Sequence, residues 1–219
     1  MTSTQNRELV ANRKADSDVT EYLIGSRGFS EEVLDFYEIG YVTSPISTLR
    51  NRITCPIRDL RGDTKGYSAR KVPWDSSKAK YKITAGFTKS EYLYGLYESL
   101  KDSSIQENNF IIVTEGNFNV LALKMMGFPA VAAMGLTLSD FQLFLLGCFT
   151  TNVVYLTDGD THGQNAAPKV LEKLTEWGFN GTILKTISGF NDSNEILVAG
   201  GDMLEMFVNR IERNVEKYR

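Results

Sequence analysis

Short apolar runs alternate with amphipathic stretches through the second half of the chain. Runs rich in β-branched residues are typical of buried strands, and each one here leads through a turn into a helix-like stretch. This alternation predicts a parallel, right-handed α/β sheet over residues 105–200. The predicted strands are residues 110–114, 129–134, 152–156 and 181–187.

The predicted helices lie between and after these strands. They cover residues 119–126, a stretch after 137, a stretch ending near 177 and a short stretch from 196. For the second helix, Thr137 has the place of an N-cap and Asp140 that of its partner three residues on. Pro168 fits best in the first turn of the third helix. A last amphipathic pattern predicts a helix at residues 203–218, and packing of its apolar face on its own domain is favoured over recruitment of a partner.

Four acidic residues each follow a predicted strand: Glu115, Asp158, Asp160 and Asp192. Residues just past parallel strands meet at one edge of the sheet, so these carboxylates are expected to lie together. Because neighbouring carboxylates repel, the group indicates a cation between them, and oxygen ligands suit Mg²⁺ or Mn²⁺. The alternative is that the acids cap helices, which for Asp192 explains its position almost as well.

Positive charge is concentrated in residues 50–89, which hold 11 Lys and Arg against 3 Asp, although the whole chain carries −3. Aromatic residues are interleaved with these charges: Tyr67, Trp74, Tyr81 and Phe87. Such a combination is expected where a nucleic-acid strand is held by phosphate contacts and base stacking. The other interpretation is a solvated face on a small β-rich subdomain.

Composition limits the classes of protein that remain. With 219 residues and 42% hydrophobic content, the chain is large enough for one generous domain or two small ones. Neither a membrane span nor a secretory signal is visible, so we expect a cytoplasmic location and no membrane partner. Two cysteines and one histidine cannot complete a four-ligand structural zinc site, so no zinc is expected.

The acidic positions resemble the Toprim domain that primases, topoisomerases and some nucleases share. The matching parts are Glu115-Gly116, Asp158-x-Asp160-x-x-Gly163 and residues 191–195 (NDSNE). Upstream segments resemble, in family order, the RNA polymerase domain of bacterial DnaG-type primases. These segments are residues 20–42, 49–72, 79–83 and 88–96. The resemblance therefore extends over most of the chain.

This resemblance implies a Toprim parallel sheet flanked by helices, preceded by a smaller basic α+β subdomain. The implied divisions are a polar segment at 1–17, the basic subdomain at 18–104, the Toprim domain at 105–200 and a C-terminal helix at 201–219. It also implies a stand-alone catalytic core, because the zinc-binding and helicase-binding domains of DnaG-type primases have no counterpart here.

The resemblance further implies a role for each matching residue. Glu115 corresponds to a general acid or base, or a metal neighbour, while Asp158, Asp160 and Asp192 correspond to metal-holding aspartates. Glu115, Asp158 and Asp160 would be the catalytic group. The basic positions implied to contact template, incoming nucleotide or phosphates are Arg50, Arg52, Arg70, Lys80 and Lys89.

Three positions depart from the family pattern, one of them Ile83, whose place is commonly Asn. Asn119 stands where the Toprim signature usually has Asp, and Asn194 stands where many members have Asp. An amide oxygen can still neighbour a metal, but it adds no charge. We therefore expect lower metal affinity and weaker or Mn²⁺-favoured activity.

The function implied is synthesis of short RNA primers on a single-stranded DNA template, from nucleoside triphosphates with Mg²⁺ or Mn²⁺. A phage replication system in the host cytoplasm is the expected setting, with a separate helicase or zinc-bearing template-recognition protein as partner. Two alternatives stay open. One is a Toprim metal-dependent nuclease that uses the same carboxylates, and the other is a catalytically weakened nucleic-acid-binding replication factor.

Overall fold

The structure, a computed structural model, describes residues 3–219, apart from the side chains of residues 3, 4 and 162. The chain divides into two compact units, the first ending at Thr88 and the second beginning at Lys89. This division lies upstream of the boundary between residues 104 and 105 that the sequence analysis places. Each unit has its own sheet.

The first unit is built on a four-stranded antiparallel sheet with the strand order β1-β2-β3-β4. Its strands are β1 (Gly40–Tyr41), β2 (Arg52–Arg58), β3 (Thr64–Lys71) and β4 (Tyr81–Ile83). Its helices are α1 (Ser3–Ala15), α2 (Ser17–Glu21), a π-helical turn (Tyr22–Ser26) and α3 (Glu31–Phe36).

Helix α1 occupies most of the stretch that the sequence analysis describes only as a polar segment. Few of its positions are apolar, so ion pairs with α3, more than apolar packing, fix α1 in the first unit. Arg13 is fully buried and donates to Glu31 Oε2 at 3.0 Å and to Asp35 Oδ1 at 2.6 Å. A buried guanidinium needs such partners, since an unpaired charge in the interior is strongly destabilising.

The second unit contains the predicted sheet. All four predicted strands are present and parallel, in the order β6-β5-β7-β8, which confirms the α/β class. The strands are β5 (Ile111–Thr114), β6 (Ala130–Ala132), β7 (Asn152–Thr157) and β8 (Asn180–Lys185). The helices are α4 (Leu96–Lys101), α5 (Ser104–Asn108), α6 (Asn117–Met125), α7 (Asp140–Gly147), α8 (Thr161–Glu176), α9 (Ser193–Ala199) and α10 (Gly201–Val215), with 3₁₀ turns at Lys89–Glu91 and Glu216–Tyr218.

The apolar runs form the core of this second unit. Every residue of β5 and β7 is buried, as expected of central parallel strands covered on both faces. One side of the core joins Val113 and Val153 to Leu143 of α7 and Leu174 of α8. The sheet therefore holds the loops at its carboxyl edge on a rigid support.

Two helix details differ from the sequence predictions. The N-cap of α7 is Ser139, not Thr137, because Ser139 and Gln142 bond each other reciprocally in a capping box. Pro168 lies in the interior of α8, not in its first turn. The helix starts earlier than predicted because the Asp160 side chain caps it.

The C-terminal helix is present as α10 and the 3₁₀ turn that follows it. Its apolar residues Phe207, Ile211 and Val215 are fully buried, as predicted for a face that packs on its own domain. Within residues 3–219, none of the helices combines the length and the apolar character needed to cross a membrane.

Candidate active site

The carboxyl ends of neighbouring strands place the predicted acids at one edge of the sheet. Glu115 follows β5 and Asp158 follows β7, and these two strands pair directly. Asp192 lies beyond β8, the next strand along. The loop containing Asp158 is tied to the loop containing Asp192, because Gly159 N donates to Asn191 O at 2.6 Å.

Glu115 is the acid most affected by its surroundings. Its side chain is half-buried, and Oε1 is buried without a hydrogen-bond partner among the described residues. Burial, followed by the negative charges of Asp158 and Asp160, raises the pKa of Glu115 to about 7. Both aspartates therefore lie close enough to Glu115 for their charges to repel its carboxylate.

Asp158 is bonded by an amide. Asn119, which is 5% exposed, donates Nδ2 to Asp158 Oδ1 at 2.9 Å. The backbone oxygen of Asn119 accepts a hydrogen bond from Ser193 Oγ at 3.4 Å. Asn119 thus connects α6 to both of the other acidic loops.

Asp160 and Asp192 act as helix N-caps. Asp160 Oδ1 accepts from Gly163 N at 2.8 Å, and Asp192 Oδ1 accepts from Glu195 N at 2.9 Å. Capping occupies one oxygen of each carboxylate, and each carboxylate has a second. Asn194, the other candidate metal neighbour, is buried in the first turn of α9.

The surroundings of Glu115 fit a divalent cation. Among the side chains that the structure describes, no three carboxylate, imidazole or thiol groups are arranged as ligands of one metal ion. Two of the acids, Asp160 and Asp192, each use one oxygen to cap a helix. Yet two oxygens at the ends of β5 and β7, Glu115 Oε1 and Thr157 Oγ1, are buried and without partners in the described part of the chain. Such groups are costly unless something binds them. An oxygen-rich set with an unpaired carboxylate suits Mg²⁺ or Mn²⁺.

Gly163 keeps open the space beside Glu115. A Cβ at this position would lie 2.7 Å from Glu115 Oε1 and 3.2 Å from the backbone oxygen of Asp158.

We predict that Gly163→Ala lowers Mn²⁺ affinity about tenfold, because the methyl group displaces the Glu115 carboxylate. Calorimetric titration checks this. Gly147→Ala, whose Cβ would have ordinary contacts, is the matched control, and equal affinities for both variants would contradict the prediction.

Lys89 lies at the same edge of the sheet as the acids. It is exposed, and its Nζ donates to Met134 O at 3.1 Å in the loop after β6. Gln142, a residue that the sequence analysis does not single out, fixes this segment: its Nε2 donates to Lys89 O, Tyr92 O and Ala133 O. The signal that could have identified it is the Ser-x-x-Gln spacing at residues 139–142.

The basic residues of the first unit fall into two groups. Arg50 and Lys80 are exposed. Arg52, 1% exposed, donates to Ser77 Oγ at 2.6 Å and to Ala79 O at 2.8 Å. Arg70 is also buried and donates to the Tyr81 hydroxyl at 2.6 Å. The structure therefore presents Arg50 and Lys80 to solvent, whereas Arg52 and Arg70 bond within the unit.

Comparison with known proteins identifies relatives of both units. A DNA primase of Borreliella burgdorferi is 26% identical over 92% of this chain and 44% of its own length. A solved DnaG catalytic core is 27% identical, with a TM-score of 0.80, covering 96% of this chain and 77% of that one. A DnaG primase catalytic domain bound to single-stranded DNA shares the fold, at 24% identity and a TM-score of 0.77, covering 94% of this chain and 78% of that one.

Family models match consecutive parts of the chain. Residues 112–197 match the Toprim-like family, so the sheet with acids at its carboxyl edge defines a Toprim protein. Residues 42–100 match the N-terminal domain of the DNA primase catalytic core. The chain belongs to the DnaG-type primase family and corresponds to its catalytic core. It spans less than half the length of the curated relatives that it matches first.

Proposed function

We propose that the chain synthesises short RNA primers on single-stranded DNA by metal-dependent nucleotidyl transfer. The observation that carries this proposal is the buried, unpaired oxygen of Glu115 beside two more carboxylates, in a chain that also matches the primase N-terminal domain. An unpaired, partly buried carboxylate lowers the stability of the fold, and carboxylates with such perturbed pKa values are typical of catalytic sites.

The reaction requires a base and a positively charged environment. A 3′ hydroxyl attacks the α-phosphorus of a nucleoside triphosphate, a new phosphorus–oxygen bond forms, and the bond to pyrophosphate breaks. Glu115, with a pKa of about 7, is suited to accept the hydroxyl proton near neutral pH. Asp158, Asp160 and Asp192 would hold Mg²⁺ or Mn²⁺, which when bound stabilises charge on the attacking and leaving oxygens.

Exposed cations supply the contacts to phosphate. Lys89, at the edge that holds the acids, would bind the phosphates of the incoming nucleotide. Arg50 and Lys80, both exposed in the first unit, would contact the template backbone. A protein of the same fold bound to single-stranded DNA supports a template of that kind.

The decisive experiment is a primer-synthesis assay. The protein is incubated with mixed single-stranded DNA templates, labelled ribonucleotides and either Mg²⁺ or Mn²⁺. The control combines Asp158→Ala with Asp160→Ala. Short labelled products that disappear in the control are the expected result. Products that persist in the control would contradict the proposed role of these acids.

Other outcomes of the same assay identify the two alternatives. Template degradation that requires Asp158 and Asp160 would indicate a nuclease. DNA binding without any turnover, after addition of a helicase and a zinc-bearing primase partner, would indicate a weakened binding factor. We favour the primase because a nuclease gives no role to the match at residues 42–100. A phage replication system remains part of this proposal.

Template binding is expected to depend on salt. On single-stranded DNA, each lysine or arginine that contacts a phosphate contributes about 0.7 to the magnitude of the slope of log affinity against log salt concentration. Arg50→Ala with Lys80→Ala is therefore predicted to reduce the magnitude of the slope by about 1.4. Fluorescence anisotropy with labelled single-stranded DNA measures it, with Arg213→Ala in α10 as the control. An unchanged slope would show that these residues do not contact phosphate.

A further inference from the structure

Asn119 lies where three loops at the sheet edge meet. It is the third residue of α6, and its amide donates to the Asp158 carboxylate at 2.9 Å. Its backbone oxygen accepts from Ser193, the neighbour of Asp192. The loop containing Asp158 is itself bonded to Asn191 through Gly159. One buried residue therefore connects the Asp158 loop, through its side chain, and the Asp192 segment, through its backbone oxygen.

The Asn119 amide orients Asp158 without adding charge. The charges of Asp158 and Asp160 act on Glu115, so a cation-free group of these acids is under mutual repulsion. An amide NH₂ only donates hydrogen bonds, and its bond to Oδ1 fixes one carboxylate oxygen and offsets part of that repulsion. A fourth carboxylate, at position 119, would increase this repulsion.

We propose that Asn119 is a positioning residue that keeps Asp158 in place while no cation is bound, so that the acidic group is assembled before the cation arrives. The role of the cation rests on the proposed function, whereas the role of the hydrogen bond does not. Asn119→Ala should release the Asp158 loop. Asn119→Asp keeps the shape of the side chain but places a like charge beside Asp158, so the order of this loop should then depend on a cation.

Amide hydrogen exchange in EDTA, with and without Mn²⁺, tests this inference. The informative amides are those of Gly159, bonded to Asn191 O, and Gly163, bonded to Asp160. We expect exchange about fivefold faster in Asn119→Ala, the change that corresponds to one hydrogen bond, and faster again in Asn119→Asp. Mn²⁺ should restore protection in Asn119→Asp and not in Asn119→Ala.

A matched control and two outcomes complete the experiment. Asn214 also donates its side-chain amide, to Arg210 O at 2.8 Å in α10, and Asn214→Ala should leave the Asp158 loop unchanged. Wild-type protection of Gly159 and Gly163 in Asn119→Ala would overturn the proposal. Suppose that Asn119→Ala speeds exchange in the loop but Mn²⁺ alters neither exchange nor calorimetric heat in the wild type. Cation binding is then contradicted, whereas positioning of Asp158 by Asn119 is supported.

Discussion

Replacing Glu115 with Gln is expected to reduce primer synthesis about a thousandfold while stabilising the cation-free protein above pH 7. Synthesis falls because the amide cannot accept a proton and is a weaker ligand for a cation. Stability rises because the pKa of Glu115 is raised to about 7 in the folded chain. The stability that protonated Glu115 provides is present at low pH and is lost as the pH rises through that value.

The stability effect is modest because the Glu115 side chain is only half-buried. After allowance for solvent screening, we expect Glu115→Gln to add about 1–2 kcal/mol to the free energy of unfolding at about pH 8, and almost nothing near pH 4. Urea unfolding in EDTA at both pH values measures this. Glu205→Gln, an exposed site in α10, is the control. A variant with the pH dependence of the wild type would show that Glu115 is already charged in the fold at neutral pH.

Arg52→Ala is expected to destabilise the first unit by about 3–5 kcal/mol, far more than the same change at the exposed Arg50 or Lys80. The guanidinium is fully buried and donates to Ser77 Oγ and to the backbone oxygens of Ala69, Ala79 and Lys80. It also lies 3.6 Å from Asp75. Alanine removes these buried hydrogen bonds and the contact with Asp75, and it frees the segment that carries Lys80.

Denaturant unfolding followed by tryptophan fluorescence checks this prediction, in a Trp177→Phe background so that Trp74 reports on the first unit, with Arg50→Ala as the exposed neighbour. The control should stay within about 0.5 kcal/mol of the wild type. Any loss of template binding in Arg52→Ala should then accompany the loss of folded protein. If Arg52→Ala is as stable as the wild type yet fails to bind nucleotide, direct contact with the ligand is the correct role for Arg52.

The parallel sheet and the edge that carries the acids follow from the sequence alone. Continuous β-branched runs such as β7 are buried on both faces, and such strands put their carboxyl ends on one side. Glu115 and Asp158 therefore had to lie near each other once the strands were assigned. Which oxygen bonds to which donor depends on side-chain rotamers, so the Asn119–Asp158 bond has no counterpart in the sequence pattern.

The burial of particular charged residues could not be predicted from the sequence. Arg52 belongs to a run of positive charge that predicts an exposed surface, and it is buried only because the segment at residues 75–80 folds over it. Arg13 is similar, since its partners Glu31 and Asp35 lie in another helix. Both contacts join residues far apart in the chain, where periodicity gives no information.

The order in which the ribosome delivers the strands differs from their order in the sheet. β5 and β6 emerge first and can pair, but the other edge of β5 stays open until β7 has been made, because β7 pairs with β5 on that side. An open apolar strand edge invites association with other chains. Substitutions that delay docking of β7 should therefore reduce the yield of soluble protein before they affect turnover.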